Sequence, residues 1–220
     1  MLEKAVVPWS GGKDAALALY EARERYEIAA LLTTVAPDGR VGMHGVRGEL
    51  PRRQAEALGL PLDTVPIPAV CSNTDYEAAF HAALAPHRAA GVHSVVCGDL
   101  FLEDVRRYRD ERLFAGGWTG VYPLWKQDTG ELARRFLALG FRAVLCCVDG
   151  RALDPSFAGR TFDADLLAEL PSGVDPCGEN GEFHTFVFDG PLFRRPVGWA
   201  AGERTMRDGR FAYCELLSTP

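Results

Sequence analysis

No segment of this 220-residue chain approaches the run of ~20 apolar residues that a membrane-spanning helix requires. The opening residues, MLEKAVVPWSGGKD, lack the charged start, apolar stretch and small-residue cleavage site of a secretory signal. Cys71, Cys97, Cys146, Cys147, Cys177 and Cys214 include no C-x-x-C pair, and they read as reduced thiols of a cytoplasmic protein. His44, His81, His87, His93 and His184 show no H-x-x-x-H spacing and no Cys/His cluster, so a zinc centre is not expected. An excess of positive charge is also missing: 24 Lys and Arg stand against 30 Asp and Glu, a formal charge of −6. General nucleic-acid binding draws its affinity from basic residues that neutralise phosphates, and this balance argues against it. Neither G-x-x-x-x-G-K-[ST] nor G-x-G-x-x-G occurs.

What is present is the mix of a globular protein with a sizeable core, 47% hydrophobic and 25% charged. Strand and helix signals alternate from the start. Ala5 to Trp9 is a short apolar run, Ser10-Gly11-Gly12 a turn, and Asp14 to Tyr26 a stretch of helix formers. Ile28 to Val35 reads as a second strand, Pro51 to the residue before Gly59 as a helix, and Thr64 to Ile67 as a third strand. Thr74 to Glu77 fits a capping box that opens a helix carrying Tyr76, Phe80 and Leu84 as far as Pro86. Ser94 to Leu100 and Val121 to Trp125 complete five strands. Strands separated by helices close into a doubly wound parallel sheet, an α/β domain over residues 1–127. After Lys126 the texture changes to a smaller α+β domain over residues 128–220. It holds a capping box at Asp128 to Glu131, strands at Arg142 to Val148 and Phe211 to Leu217, and a short helix at Asp163 to Leu170.

Ligands of a parallel sheet bind beyond the carboxyl ends of its strands, where a helix N-terminus offers unpaired N–H groups to an anion. Ser10, Gly11, Gly12, Lys13 and Asp14 occupy that position, although a Gly-Gly pair there can also be no more than a tight turn. Near the other end, Glu179 and Glu182 flank Asn180-Gly181. The plain reading of that segment is a β-hairpin turn followed by a strand.

SGGKDAALAL resembles the SGG-x-D-S pyrophosphate loop of the PP-loop ATP pyrophosphatase, or adenine nucleotide alpha hydrolase, superfamily, with Ala15 in place of the final Ser. GENGEFHT resembles the G-E-G-G-E-[FY]-x-T signature of the diphthine–ammonia ligase family, also called the ATP-binding domain 4 family; Asn180 stands where Gly is usual and His184 where an acid is usual. Met43-His44-Gly45-Val46, Gln54 to Leu62, Gly98-Asp99 and Pro123-Leu124-Trp125 extend the resemblance over nearly the whole chain. It implies a HUP-like sheet and a two-step amide ligase. A substrate carboxylate attacks the α-phosphate of ATP, pyrophosphate leaves, and ammonia displaces AMP. Nucleotide contacts then fall on Ser10, Gly11, Gly12, Lys13, Asp14, His44, Gly98 and Asp99, and Mg²⁺ on Asp14 and Asp99. Glu179, Asn180 and Glu182 serve the ammonia step, where carboxylates can attract an ammonium ion and take its proton. The implied partners are ammonia and a carboxylate on a small molecule or a modified protein side chain, with no membrane and a possible homodimer.

Two other readings compete. Ala15 favours a non-catalytic adenine-nucleotide-binding protein. A tRNA-thiolating PP-loop enzyme would need a sulfur carrier, for which Cys97 is the cysteine to test. It would also need a basic track, but Glu103 to Arg112, with four Arg and four acids, reads as a charge-balanced helix face.

Overall fold

The alternation of strand and helix signals is realised, with several boundaries moved, in a computed structural model that describes residues 2–42 and 44–220. The first half comprises β1 (Glu3–Pro8), α1 (Lys13–Ala22), β2 (Tyr26–Val35), α2 (Glu49–Leu58), β3 (Leu62–Pro66), α3 (Asn73–Ala89), β4 (Ser94–Val96), α4 (Glu103–Ala115) and β5 (Thr119–Val121). The strands run parallel in the order β3-β2-β1-β4-β5. Ala5, Val6 and Val7 in the central strand are fully buried, as a strand covered on both faces requires.

Boundaries moved for local reasons. α1 stops at Ala22, and the turn Arg23 to Arg25 releases Tyr26 into β2. The cap of α3 lies two residues earlier than the Thr74 to Glu77 box: Ser72 Oγ accepts from Asp75 N–H at 3.2 Å, and the Asp75 carboxylate accepts from Ser72 N–H at 3.1 Å. Pro86 does not end the helix, since the carbonyl it leaves unpaired belongs to exposed Ala82 and is open to water. β4 ends at Val96 rather than Leu100, because the chain bends at Gly98 across the start of α1. A Cβ at Gly98 would lie 2.9 Å from the Asp14 carbonyl. β5 likewise ends at Val121, leaving Pro123 to Trp125 in a turn.

The second half holds α5 (Thr129–Ala138), β6 (Arg142–Asp149), β7 (Thr161–Phe162), α6 (Ala164–Glu169), β8 (Phe183–Asp189), β9 (Trp199–Arg207) and β10 (Phe211–Ser218). Asp128 caps α5 as expected, accepting from Glu131 N–H at 2.8 Å. β6 pairs antiparallel with β7, β8 and β10, and β10 with β9. The larger apolar core is continuous between the halves, from Val7 and Leu17 through Phe136 and Phe162 to Val144 and Phe186. β8 thereby comes to lie against the turn between β1 and α1, where Val187 N–H donates to Gly11 O at 2.9 Å. Among the described residues no helix is long and apolar enough to cross a membrane.

Candidate active site

The glycine turn is held from behind by side chains distant in sequence. Gln54, fully buried in α2, accepts from Trp9 Nε1–H at 2.9 Å and donates to the carbonyls of Gly11 at 2.9 Å and Val187 at 2.6 Å. Gly12 caps α1, and a Cβ there would lie 2.8 Å from His44 Cε1, so only glycine lets the imidazole pack on the turn. Two N–H groups of the turn are already engaged, Gly12 with Ser10 Oγ at 3.2 Å and Lys13 with Thr185 Oγ1 at 3.1 Å. Among the described residues nothing accepts from the N–H of Ser10 or Gly11. These two, with the Ser10 hydroxyl as donor, are the groups left for an anion.

Lys13 is turned inward. Its side chain is only 5% exposed and does not reach toward the front of the turn. Nζ donates to both Asp14 oxygens, at 2.9 and 2.8 Å, and to the Cys177 carbonyl. Burial opposes the ammonium charge, but Asp14, with Cys177 and Glu179 adding to its effect, raises the Lys13 pKa on balance. Burial pushes the Asp14 carboxyl up against the pull of Lys13.

In front of the turn is a cleft of about 280 Å³, lined among others by Ser10, Asp14, Gly98, Asp99, Arg109 and Glu179. Gly11, Gly12, Lys13 and His44 are not among its lining residues: Gly12 packs on His44, Lys13 is buried, and the Gly11 carbonyl, though not its N–H, is taken from behind by Gln54 and β8. Ala15 does line it, so the hydroxyl that a serine at this position would bring is missing from the cleft wall. Asp99 is paired with Arg109, which donates from Nη2 at 3.1 Å to Oδ1 and brings Nε within 3.1 Å of Oδ2. Arg109 belongs to the segment read as a charge-balanced surface, and its inward turn is a correction. Its spacing from Val105 and Tyr108 on one stripe of α4 was the signal that could have found it.

Glu179 arrives from the second half and accepts from Leu100 N–H at 2.9 Å. Burial, with further help from the charges of Asp14 and Asp99, pushes its carboxyl up to about 7. Glu182 does not join it. That side chain is 5% exposed and accepts from Asp175 N–H at 3.0 Å and Asn180 Nδ2 at 2.9 Å, while its Oε2 has no hydrogen-bond partner among the described residues. Asn180 thus orients Glu182, and both brace the loop that carries Glu179.

His184 on β8 packs against a second imidazole. Its ring lies 4.8 Å from that of His44, whose Nδ1 is 3.0 Å from the Thr185 carbonyl; the geometry assigns the proton to that nitrogen. Burial lowers His44 to about 4 and His184 to about 3, so both are neutral near pH 7. Met43, part of the same sequence block, lies outside the described residues. Cys97 lines the cleft, but burial pushes its thiol up to about 12, far from the thiolate that sulfur transfer uses.

Among the described residues no three His, Cys, Asp or Glu side chains converge to hold a metal ion. Magnesium is commonly bound by one or two carboxylates plus substrate phosphates. Asp14, whose side chain keeps 31% of its surface exposed, and Asp99 fit that donor set at the cleft wall. The arrangement offers N–H donors for an anion, carboxylates for a hard cation and one carboxyl able to exchange a proton near neutral pH.

Residues 3–115 match the family model described as the diphthamide synthase N-terminal domain, and residues 128–215 the one for its C-terminal domain. The diphthine–ammonia ligases of Bos taurus and Homo sapiens are each 26% identical to the chain over 215 residues, covering 86% of it and 79% of their own lengths. Among solved structures, a 4-thiouridine synthetase–RNA complex with bound ATP is similar at a TM-score of 0.46 and 20% identity, over 63% of this chain and 41% of that one.

Proposed function

The chain belongs to the diphthamide synthase family, and from that premise we propose that it is an ATP-dependent, AMP-forming carbon–nitrogen ligase of the diphthine–ammonia ligase type. The observation that carries this reading is the Glu179–Leu100 hydrogen bond, which brings a carboxyl from the second half into the cleft in front of the glycine turn. The N-terminal half then supplies the nucleotide site and the C-terminal half, divided from it at 127/128, the amidation residue.

In the first step a substrate carboxylate oxygen attacks the α-phosphorus of ATP, the bond to the α,β-bridging oxygen breaks, and pyrophosphate leaves. Charge grows on that leaving group, where the N–H groups of Ser10 and Gly11, the Ser10 hydroxyl and the N-terminus of α1 oppose it. A magnesium ion held by Asp14 and Asp99 would supply further neutralisation of the phosphates. In the second step ammonia attacks the acyl carbon of the adenylate, AMP leaves, and the nitrogen sheds a proton to give a primary amide. Glu179, with a carboxyl near 7, is suited to accept that proton. Glu182 and Asn180 act at one remove, by holding the loop. The substrate is a carboxylate on a modified protein side chain, as in the relatives named for diphthine.

The two steps can be measured apart with a diphthine-bearing protein as probe. Glu179→Gln keeps ATP–pyrophosphate exchange and loses amide formation by about 10²–10⁴-fold. Loss of exchange in both Glu179→Gln and Glu182→Gln would move these carboxylates to the adenylation step.

A further inference from the structure

α3 and α4 face one another across a groove of about 300 Å³ that opens beside the cleft. α3 contributes Tyr76 and Phe80, stacked with ring centres 5.9 Å apart, and α4 contributes Val105, Tyr108 and Arg109. Each set lies on one stripe of its helix, at the spacings by which helices normally bury against a neighbour. Here the stripes stay apart. Tyr76, Val105 and Tyr108 are 37%, 40% and 39% exposed, although protein interiors close such gaps to crystal-like density. One end is tied by Tyr108 Oη donating to Glu77 and by Arg112 Nε 3.4 Å from the same carboxylate. The other end meets the cleft, since Val105 and Arg109 line both spaces.

Arg109 is the polar group at that junction. Nη2 is committed to Asp99, Nε is buried without a hydrogen bond, and nothing among the described residues accepts from Nη1. A guanidinium with a free edge at the inner end of an apolar groove matches a carboxylate on an apolar stem.

We propose that this groove seats the side chain whose carboxylate is adenylated, its stem between the rings of Tyr76, Phe80 and Tyr108 and its carboxylate on the free edge of Arg109. The proposal rests on the ligase reading above and names the subsite that reading leaves open. The groove is exposed along its outer side, so the side chain it takes can remain attached to a folded protein. A free small acid would leave most of the apolar lining in water.

The test uses Tyr76→Glu and Tyr108→Ala, with Phe114→Glu as control. Phe114 is 83% exposed on the same helix and does not line the groove. Affinity for ATP, affinity for a diphthine-bearing protein, and KM and kcat for its amidation are measured on each full-length variant. Both groove variants are expected to raise KM and the dissociation constant for the protein by about tenfold or more, with ATP affinity and kcat little changed, and the control to do neither. If wild type amidates the probe and both groove variants bind and react as it does, the groove assignment falls and the ligase reading stands. If wild type binds ATP but neither binds nor amidates the probe, the substrate reading fails and takes the groove assignment with it.

Discussion

Glu179 carries a penalty in the free protein that its replacement should relieve. Its carboxyl is raised from 4.5 to about 7, chiefly by burial, with Asp14 and Asp99 adding to the effect. Between those two values the folded state holds a proton that the unfolded chain has released, so folding stability falls as pH rises through this window and levels off above about 7. For a fully buried group the gap would correspond to about 3 kcal/mol. Partial solvent access to Glu179 reduces that to roughly 1–2 kcal/mol. Glu179→Gln keeps an oxygen to accept from Leu100 N–H and carries no charge. In EDTA and without nucleotide, urea unfolding should therefore find the variant roughly 1–2 kcal/mol more stable than wild type at about pH 8, with the difference vanishing by about pH 4. The same substitution should nearly abolish amide formation, so one residue gives a gain in stability and a loss of activity. A stability difference that is flat between these pH values, or a variant less stable than wild type at the higher one, would refute the assignment of a raised carboxyl in this cleft.

Gly12→Ala places a methyl group against the His44 ring and is expected to cost about 1–3 kcal/mol in denaturant unfolding. Adding His44→Ala should recover part of that cost, a coupling of more than about 0.5 kcal/mol in a double-mutant cycle. Gln54→Leu removes three buried hydrogen bonds and leaves Trp9 Nε1–H unpaired; a loss of about 2–5 kcal/mol, read as a lower melting temperature, should be accompanied by weaker ATP binding. In the native protein thiol reagents at mildly alkaline pH should modify Cys71 first, because the other five cysteines are buried, and Cys71→Ser should remove the rapid phase.

Sequence made the local devices legible. The strand, glycine turn and helix around Ser10 to Lys13, the stop of α2 before Gly59 and the Asp128 cap are each decided by neighbours within a few residues. The Ser72 cap was missed because two overlapping boxes satisfy the same pattern. β9 was missed because an exposed edge strand has no buried face to impose alternation on WAAGERTMR. Within the site, Asp14, Asp99 and Glu179 could be named from motifs. The roles of Gln54, Thr185 and Arg109 could not, since each depends on a partner that only the fold brings near. The inward turn of Lys13 was hidden for the same reason: the carbonyl of Cys177, 164 residues away, accepts from its ammonium.

The bond between Lys13 N–H and Thr185 Oγ1 spans 172 positions of the chain, and those of Gln54 and Val187 to the Gly11 carbonyl complete the same support. The final shape of this turn waits on residues far along the chain, because β8 must be synthesised and docked before these bonds can form. A fragment ending at residue 127 would contain every residue of the turn and lack β8. The turn therefore reaches its final shape only after synthesis has passed residue 187.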